Sequence, residues 1–244
     1  MTTVLPIIET DAVLRVRRHV ELAALDRKIV AICGPSGTGK TTSALDAGRY
    51  VGAAHPELTV VRYAVPHNPS PKTFVRGLLD LVLTSPVDGT LDNLERLLEM
   101  QFRDRPYLVL VDEAQHLNVG ALERTRALWE RHPHGIVLIG DTRMMKRLAN
   151  SPQLTSRIAR RTELAPLTGP ALCAFLAELD PVAGAIGDDT LVRIDRQWAH
   201  GNLRRWAEFV TAFRYITTRL GLAVPSAAGT VDAALIDATL AELG

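Results

Sequence analysis

The sequence predicts an α/β fold in which a doubly wound, mostly parallel five-stranded sheet is followed by a helical subdomain. Three observations predict it. Short apolar runs rich in Val and Ile alternate with segments of helical periodicity. Strand signals stop after the breaks at Pro166, Gly169 and Pro170. The 244 residues suit one ordinary α/β domain plus a small appendage, because single cores stop growing at about 250 to 300 residues.

The elements follow in order. Residues 1–27 hold a lead-in helix with Thr10 or Asp11 as N-cap and Val13, Val16, Val20 and Ala24 at three-and-four spacing. Residues 29–33, 58–65, 107–111 and 136–139 read as buried parallel strands, with 162–164 as a short fifth. Phe74, Val75, Leu78, Leu79 and Val82, then Leu91, Leu94, Leu98 and Phe102, follow the spacing of helices packed on a sheet. Beyond 28–166, residues 167–244 form the helical subdomain. Its apolar stripe is Leu203, Trp206, Val210, Phe213, Ile216 and Leu220, and a last helix over 231–243 follows a 225–229 loop.

Composition bounds the function. With 47% hydrophobic and 23% charged residues the chain buries a sizeable core and lies far from the disordered class. A net charge of +1 means that any affinity for nucleic acid must come from a local patch. Cys33 and Cys173 are too far apart for a metal pair and too few for a disulfide framework. The histidines, including His116, His132 and His134, have no partners at metal-ligand spacing. No run approaches the ~20 apolar residues that span a bilayer, and residues 1–10 carry no basic run ahead of an apolar segment. The expectation is a cytoplasmic protein with no membrane partner.

The strongest motif is Gly34, Pro35, Ser36, Gly37, Thr38, Gly39, Lys40, Thr41, which fits G-x-x-x-x-G-K-[ST] directly after the 29–33 strand. Glycines let the backbone turn so that successive N–H groups meet phosphate oxygens, and the following helix adds its positive end. Lys40 would reach the β- and γ-phosphates, Thr41 would ligate Mg²⁺, and Thr42 completes the nucleotide-binding set. A second motif is the 108–111 run ending in Asp112 and Glu113, two carboxylates at the C-terminal end of a buried strand, where open α/β sheets bind ligands. Asp112 would hold Mg²⁺ through water, and Glu113 would polarise the water attacking the γ-phosphate.

Together with the 136–142, 154–161 and 201–205 segments, these Walker A and Walker B strings resemble the AAA+ ATPases of the P-loop NTPase fold over nearly the whole chain. The string Asp112, Glu113, Ala114, Gln115 is similar to DEAD/DEAH-type helicases, but those need a second motor domain that this length does not hold. Asp112 to Leu117, followed by a strand ending in Ile139, Gly140, Asp141, Thr142, resembles the transposition-regulator ATPases, the TnsC, TniB, IstB and Mu B type. Related motifs occur in ExeA-like secretion-associated ATPases. The resemblance implies ATP and Mg²⁺ as cofactors, ATP hydrolysis, and a homo-oligomer, ring or helical filament, that binds duplex DNA and recruits or stimulates a transposase. It places sensor 1 at Thr142, with Asp141 as the alternate. It places the arginine finger at Arg157, with Arg160 and Arg161 as alternates, and sensor 2 at Arg204 in a helical lid.

Residues 142–161 contain Arg143, Lys146, Arg147, Arg157, Arg160 and Arg161 and no acid, which suits an anionic partner. A second acid-free stretch, 62–76, offers Lys72 and Arg76. A third group, Arg15, Arg17, Arg18 and His19, reads as the wet face of the first helix. At 5% aromatic the chain offers no base-stacking platform, so the expected contact tracks the DNA backbone without sequence readout. Two other classes share parts of this pattern: an adaptor ATPase acting on a protein assembly, and a small-molecule kinase, for which no acceptor-binding motif is evident.

Overall fold

The protein is described here by a computed structural model that covers residues 7–222 and 231–244. The sheet-bearing part runs α1 (Asp11–Leu25), β1 (Ile29–Cys33), α2 (Lys40–Ala54), β2 (Thr59–Ala64), α3 (Pro71–Val82), α4 (Leu91–Asp104), β3 (Tyr107–Asp112), α5 (Val119–Arg131), β4 (Gly135–Gly140), α6 (Thr142–Ala149), α7 (Pro152–Thr155) and β5 (Ile158–Glu163). The helical part holds α8 (Gly169–Leu179), α9 (Pro181–Ala185), α10 (Asp188–Ile194), α11 (Leu203–Arg219) and α12 (Ala233–Leu243). Thr10 caps α1, its hydroxyl accepting from the Val13 N–H at 3.2 Å. Ser70, Thr90 and Asn118 cap α3, α4 and α5 in the same way.

All five strands are parallel, in the order β2-β3-β4-β1-β5. Side chains alternate across the sheet with the period of two that a strand dictates. Ile29, Ala31 and Cys33 of β1, Val109 and Val111 of β3, and Ile136 and Leu138 of β4 pack with buried residues of α3 to α7. Val30, Ile32, Leu108, Leu110, Val137 and Ile139 face Val16, Val20 and Ala23 of α1 and Ala44, Ala47 and Val51 of α2. Helix α1 is therefore part of one face of this core. The chain leaves β1 for the far edge at β2, returns through β3 and β4, and then crosses to β5 on the other side of β1. That reversal between β1 and β4 opens a crevice at their C-terminal ends, the usual ligand position in open α/β sheets.

Two expectations need correction. The fifth strand is Ile158–Glu163 and not a stub at 162–164. As a sheet edge it buries only Thr162 fully, so its charges hide the strand in the sequence. Likewise β2 is the opposite edge and is half-buried, with only Tyr63 fully covered.

Contacts divide the described residues into two compact units, one of 9–35 with 40–164, the other of 165–222 and 231–244 with 36–39 and 7–8. The second unit has its own apolar core built on Leu172, Leu176, Trp206, Phe209 and Phe213. The buried stripe of α11 is Trp206, Phe209, Val210, Phe213 and Thr217, whereas Leu220 is exposed beyond the helix end. The 225–229 loop lies outside the described residues.

Candidate functional site

The first unit builds its polar centre at the ends of β1, β3 and β4. Gly34 follows β1 with φ +151°, and a Cβ there would stand 2.2 Å from the Leu164 carbonyl oxygen. Only glycine fits so close to backbone. Lys40 opens α2, and its ammonium donates to the Pro35 carbonyl at 2.6 Å. Burial pulls the Lys40 ammonium below the ordinary lysine range, and the nearby charges of Asp141, Glu113 and Asp112 oppose that shift. Lys40 is thus a partly desolvated cation whose charged form is supported by three nearby carboxylates.

Next along α2, the Thr41 hydroxyl donates to Asp112 Oδ1 at 3.0 Å. The Glu113 N–H donates to the same oxygen at 3.0 Å, and Arg62 on β2 donates to Oδ2 through Nη2 at 2.6 Å and Nε at 3.2 Å. Asp112 is itself buried. Glu113 leaves the strand in the left-handed region, φ +57°, which turns its exposed carboxylate out of the sheet. Gln115, buried in the 3₁₀ turn Ala114–His116, donates its amide to Glu113 Oε2 and accepts from the Asp141 N–H at 3.2 Å. One carboxamide therefore ties the end of β3 to the start of α6.

Asp141 directly follows β4 and caps α6, accepting from the Arg143 N–H at 2.8 Å and from its guanidinium at 2.6 Å. Burial pushes its carboxyl up, but the two Arg143 hydrogen bonds and the Lys40 charge outweigh that and hold it below the ordinary range. Thr142 stands one residue on, exposed in the first turn of α6, and Thr42 is exposed on α2.

Of the three arginine candidates, Arg157 precedes β5 and pairs with Glu130 of α5 at 3.1 Å. Arg160 lies on the α1 side, where after burial it is the largest charge lowering the His19 pKa. Arg161 points to the other side, near the buried Cys33 thiol. Lys72 and Arg76 on α3 reach Asp88 at 3.2 and 3.8 Å. On α6, Arg143 is held by Asp141, Arg147 donates to the Leu117 carbonyl at 3.2 Å, and Lys146 is exposed.

In the second unit, Gly37 has φ +79°, and a Cβ there would lie 1.9 Å from Asn202 Oδ1. The Leu203 N–H donates to the Gly37 carbonyl at 2.9 Å. Asn202 caps α11 by accepting from the Arg204 N–H at 3.0 Å, and the Arg204 side chain is exposed in that first turn.

Sequence reasoning missed Arg62 as a partner of Asp112, Gln115 as the link between Glu113 and Asp141, and Asn202 as the neighbour of Gly37. Gln115 did stand inside a singled-out motif, and Asn202 did stand two residues before Arg204. Arg62 gave no signal beyond its charge, because its partner lies 50 residues away.

Two Mg²⁺-suitable oxygens, Thr41 Oγ1 and Asp112 Oδ1, converge beside a lysine at the mouth of a glycine-built turn. Hard oxygen donors in small number are what Mg²⁺ takes from protein when phosphates supply the rest, so these residues fit the ion.

Comparison with known proteins agrees with this geometry. The family model described as AAA domain matches residues 24–148, half of the chain. ATP-dependent target DNA activator B of Escherichia phage D108 is 27% identical over 166 residues, covering 64% of this chain and 51% of that protein. Mu-like prophage FluMu DNA transposition protein B of Haemophilus influenzae is 27% identical over 167 residues, covering 64% and 55%. The chain thus spans about half the length of these curated relatives. Among solved structures, Aeropyrum pernix ORC1 in complex with DNA superimposes with a TM-score of 0.74 at 16% identity, over 100% of this chain and 68% of that one. The Thermotoga maritima RuvB branch migration motor gives 0.57 at 17%, over 94% and 69%. At such identities these two structures speak to the fold alone. With its parallel sheet order, its phosphate-type loop and its paired carboxylates, the chain belongs to the AAA domain family and is similar, at modest identity, to ATPases of the transposition-regulator type.

Proposed function

We propose that the protein is an ATP-hydrolysing regulator of DNA transposition that oligomerises with ATP, binds duplex DNA without sequence specificity, and recruits or stimulates a transposase. The observation that carries the hydrolytic part is the convergence of Thr41 on Asp112 at 3.0 Å, with Glu113 next in the chain and held by Gln115. The curated relatives carry the transposition part, since their names describe a target DNA activator and a DNA transposition protein.

In this reading the backbone of 34–41 and the Lys40 ammonium receive the phosphates. Thr41, and Asp112 through water, would hold Mg²⁺, which would supply neutralisation of the phosphate charge. Glu113 accepts a proton from the attacking water, and Gln115 fixes where that carboxylate points. Thr142, with Asp141 as its alternate, is the sensor 1 group that follows β4, and the Asp141 charge acts on Lys40. Arg204 reports the nucleotide to the helical subdomain. Arg157 leaves Glu130 to reach the γ-phosphate held by a neighbouring copy, with Arg160 and Arg161 as its alternates. A finger delivered in trans is worth about 10³ to 10⁵ in rate where GTPases use one, so hydrolysis would depend on assembly.

The basic residues Arg143, Lys146 and Arg147 on α6, and Lys72 and Arg76 on α3, supply backbone contacts to DNA. The test combines ATP, duplex DNA and imaging. ATP-dependent rings or filaments on DNA are expected, with turnover that rises with protein concentration and falls on Arg157→Ala. Turnover indifferent to both DNA and protein concentration would overturn the proposal, and phosphate transfer to a metabolite would make the protein a kinase.

A further inference from the structure

Asp112 is the most enclosed carboxylate of the candidate site, its side chain 4% exposed, and both of its oxygens are engaged. Oδ1 takes the Thr41 hydroxyl and the Glu113 N–H, both neutral donors. Oδ2 takes the fork of Arg62, with Nη2 at 2.6 Å and Nε at 3.2 Å. Among the described residues Arg62 makes the sole ion pair with Asp112. A carboxylate taken from water needs such a counter-charge, or its burial is costly. Arg62 can supply it because β2 runs parallel beside β3, in a register that sets Ala64 opposite Asp112 and Arg62 two residues earlier.

The two oxygens are thus divided. The one facing Thr41, the second candidate metal ligand, is bonded only to neutral donors, and the far one is closed by a cation. Resting on the reading that Thr41 and Asp112 hold the divalent ion, we propose that Arg62 is a built-in counter-cation of the metal site. It fixes the Asp112 rotamer through Oδ2 and leaves Oδ1 to the metal. Its charge weakens the pull on a free divalent ion, so that the ion binds with the nucleotide phosphates and not ahead of them. A unit charge about 7 Å from a divalent ion, screened as in water, changes its affinity about tenfold.

An ion pair that merely anchors the edge strand would behave differently. Arg62→Gln keeps a side-chain amide donor and removes the charge, whereas Arg62→Lys keeps the charge and loses the fork. Mn²⁺ binding followed by electron paramagnetic resonance, with and without a non-hydrolysable ATP analogue, separates the two. Arg62→Gln should bind Mn²⁺ about tenfold more tightly, both without and with nucleotide. Arg62→Lys should stay near the unsubstituted protein. Equal or weaker Mn²⁺ binding by Arg62→Gln, or an effect of Arg62→Lys as large as that of Gln, overturns the proposal. Circular dichroism melts confirm folding, and if Arg62→Gln does not fold, the neutral variant Arg62→Met takes its place with the same expected gain and the same overturning result. Asp112→Asn and Thr41→Ala serve as controls. If neither changes Mn²⁺ binding in the presence of nucleotide, the metal assignment itself fails, a result distinct from failure of the Arg62 role.

Discussion

Gln115, buried below the end of β3, donates its amide to the Glu113 carboxylate while its oxygen accepts from the Asp141 backbone. Its two ends are thereby fixed, and Glu113 is oriented by a group with no rotamer freedom left. Gln115→Leu keeps the volume and removes both bonds. It leaves the Asp141 N–H unsatisfied, at about 1–3 kcal/mol of stability. Displacing a reacting group by ~1 Å can cost about a hundredfold in rate. We expect ATP turnover to fall tenfold to a hundredfold while nucleotide affinity, measured by fluorescent-analogue titration, changes less than about twofold. A loss of affinity as large as the loss of turnover would refute a positioning role.

Gly34 and Gly37 both have positive φ, but they stand against different obstacles. At Gly34 a Cβ meets the Leu164 carbonyl, which is backbone, so Gly34→Ala must push apart the ends of β1 and β5. About 2–4 kcal/mol of destabilisation is expected, visible as a lower denaturant midpoint. At Gly37 the Cβ meets the Asn202 side chain, which can move but only by giving up its cap on α11. Gly37→Ala should cost about 1–2 kcal/mol, and adding Asn202→Gly should recover part of it. If the loss in the double variant equals the sum of the two single losses, the two residues are not coupled.

His134 sets an acid limit on the sheet-bearing unit. Its ring is buried against Phe102, at a centroid distance of 4.1 Å, and burial pushes its pKa down to about 4. An unfolded histidine titrates near its ordinary 6.5. Below that value the unfolded chain takes up a proton that the folded chain refuses, so stability is lost as pH falls from 6.5 toward 4 and is unaffected above. The shift corresponds to roughly 3 kcal/mol across that window. His134→Phe keeps the ring and removes the titration, so urea midpoints at pH 7 and pH 4.5 should differ less in this variant than in the parent. Equal differences would show that other groups carry the acid response.

What was legible in the sequence follows from how each element is covered. Strands β1, β3 and β4 are covered on both faces, so every residue is apolar or small until the chain reaches Asp112 or Gly140. Edge strand β5 has one buried position among three charges, so Arg160 and Arg161 read as part of a basic segment. The phosphate-type loop and the carboxylate pair were legible because their chemistry fixes local spacing. The Arg62–Asp112 pair and the Gly37–Asn202 contact join distant parts of the chain and depend on sheet register and on packing within the second unit, neither of which a local string encodes. The buried face of α11 includes Phe209 and the polar Thr217, which a search for apolar residues at helical spacing passes over, and Leu220 lies at the helix end.

The basic residues differ in what already occupies them, and this ranks their expected contributions to DNA affinity. Lys72 and Arg76 share Asp88, Arg143 is bound to Asp141, and Arg147 to the Leu117 carbonyl. Lys146 has no such partner among the described residues and projects from the same helix as Arg143 and Arg147. A phosphate contact by Lys146 would displace nothing, whereas one by Arg143 would first have to break a bonded pair. Lys146→Ala should therefore weaken DNA binding at about 100 mM salt more than Arg143→Ala, and it should lower the slope of log affinity against log salt by about 1. Asp88→Asn, which releases Lys72 and Arg76, should strengthen binding and steepen the slope. Fluorescence anisotropy on a random-sequence duplex at several salt concentrations measures all three. A salt slope unchanged by both Lys146→Ala and Asp88→Asn would remove α3 and α6 from the DNA contact.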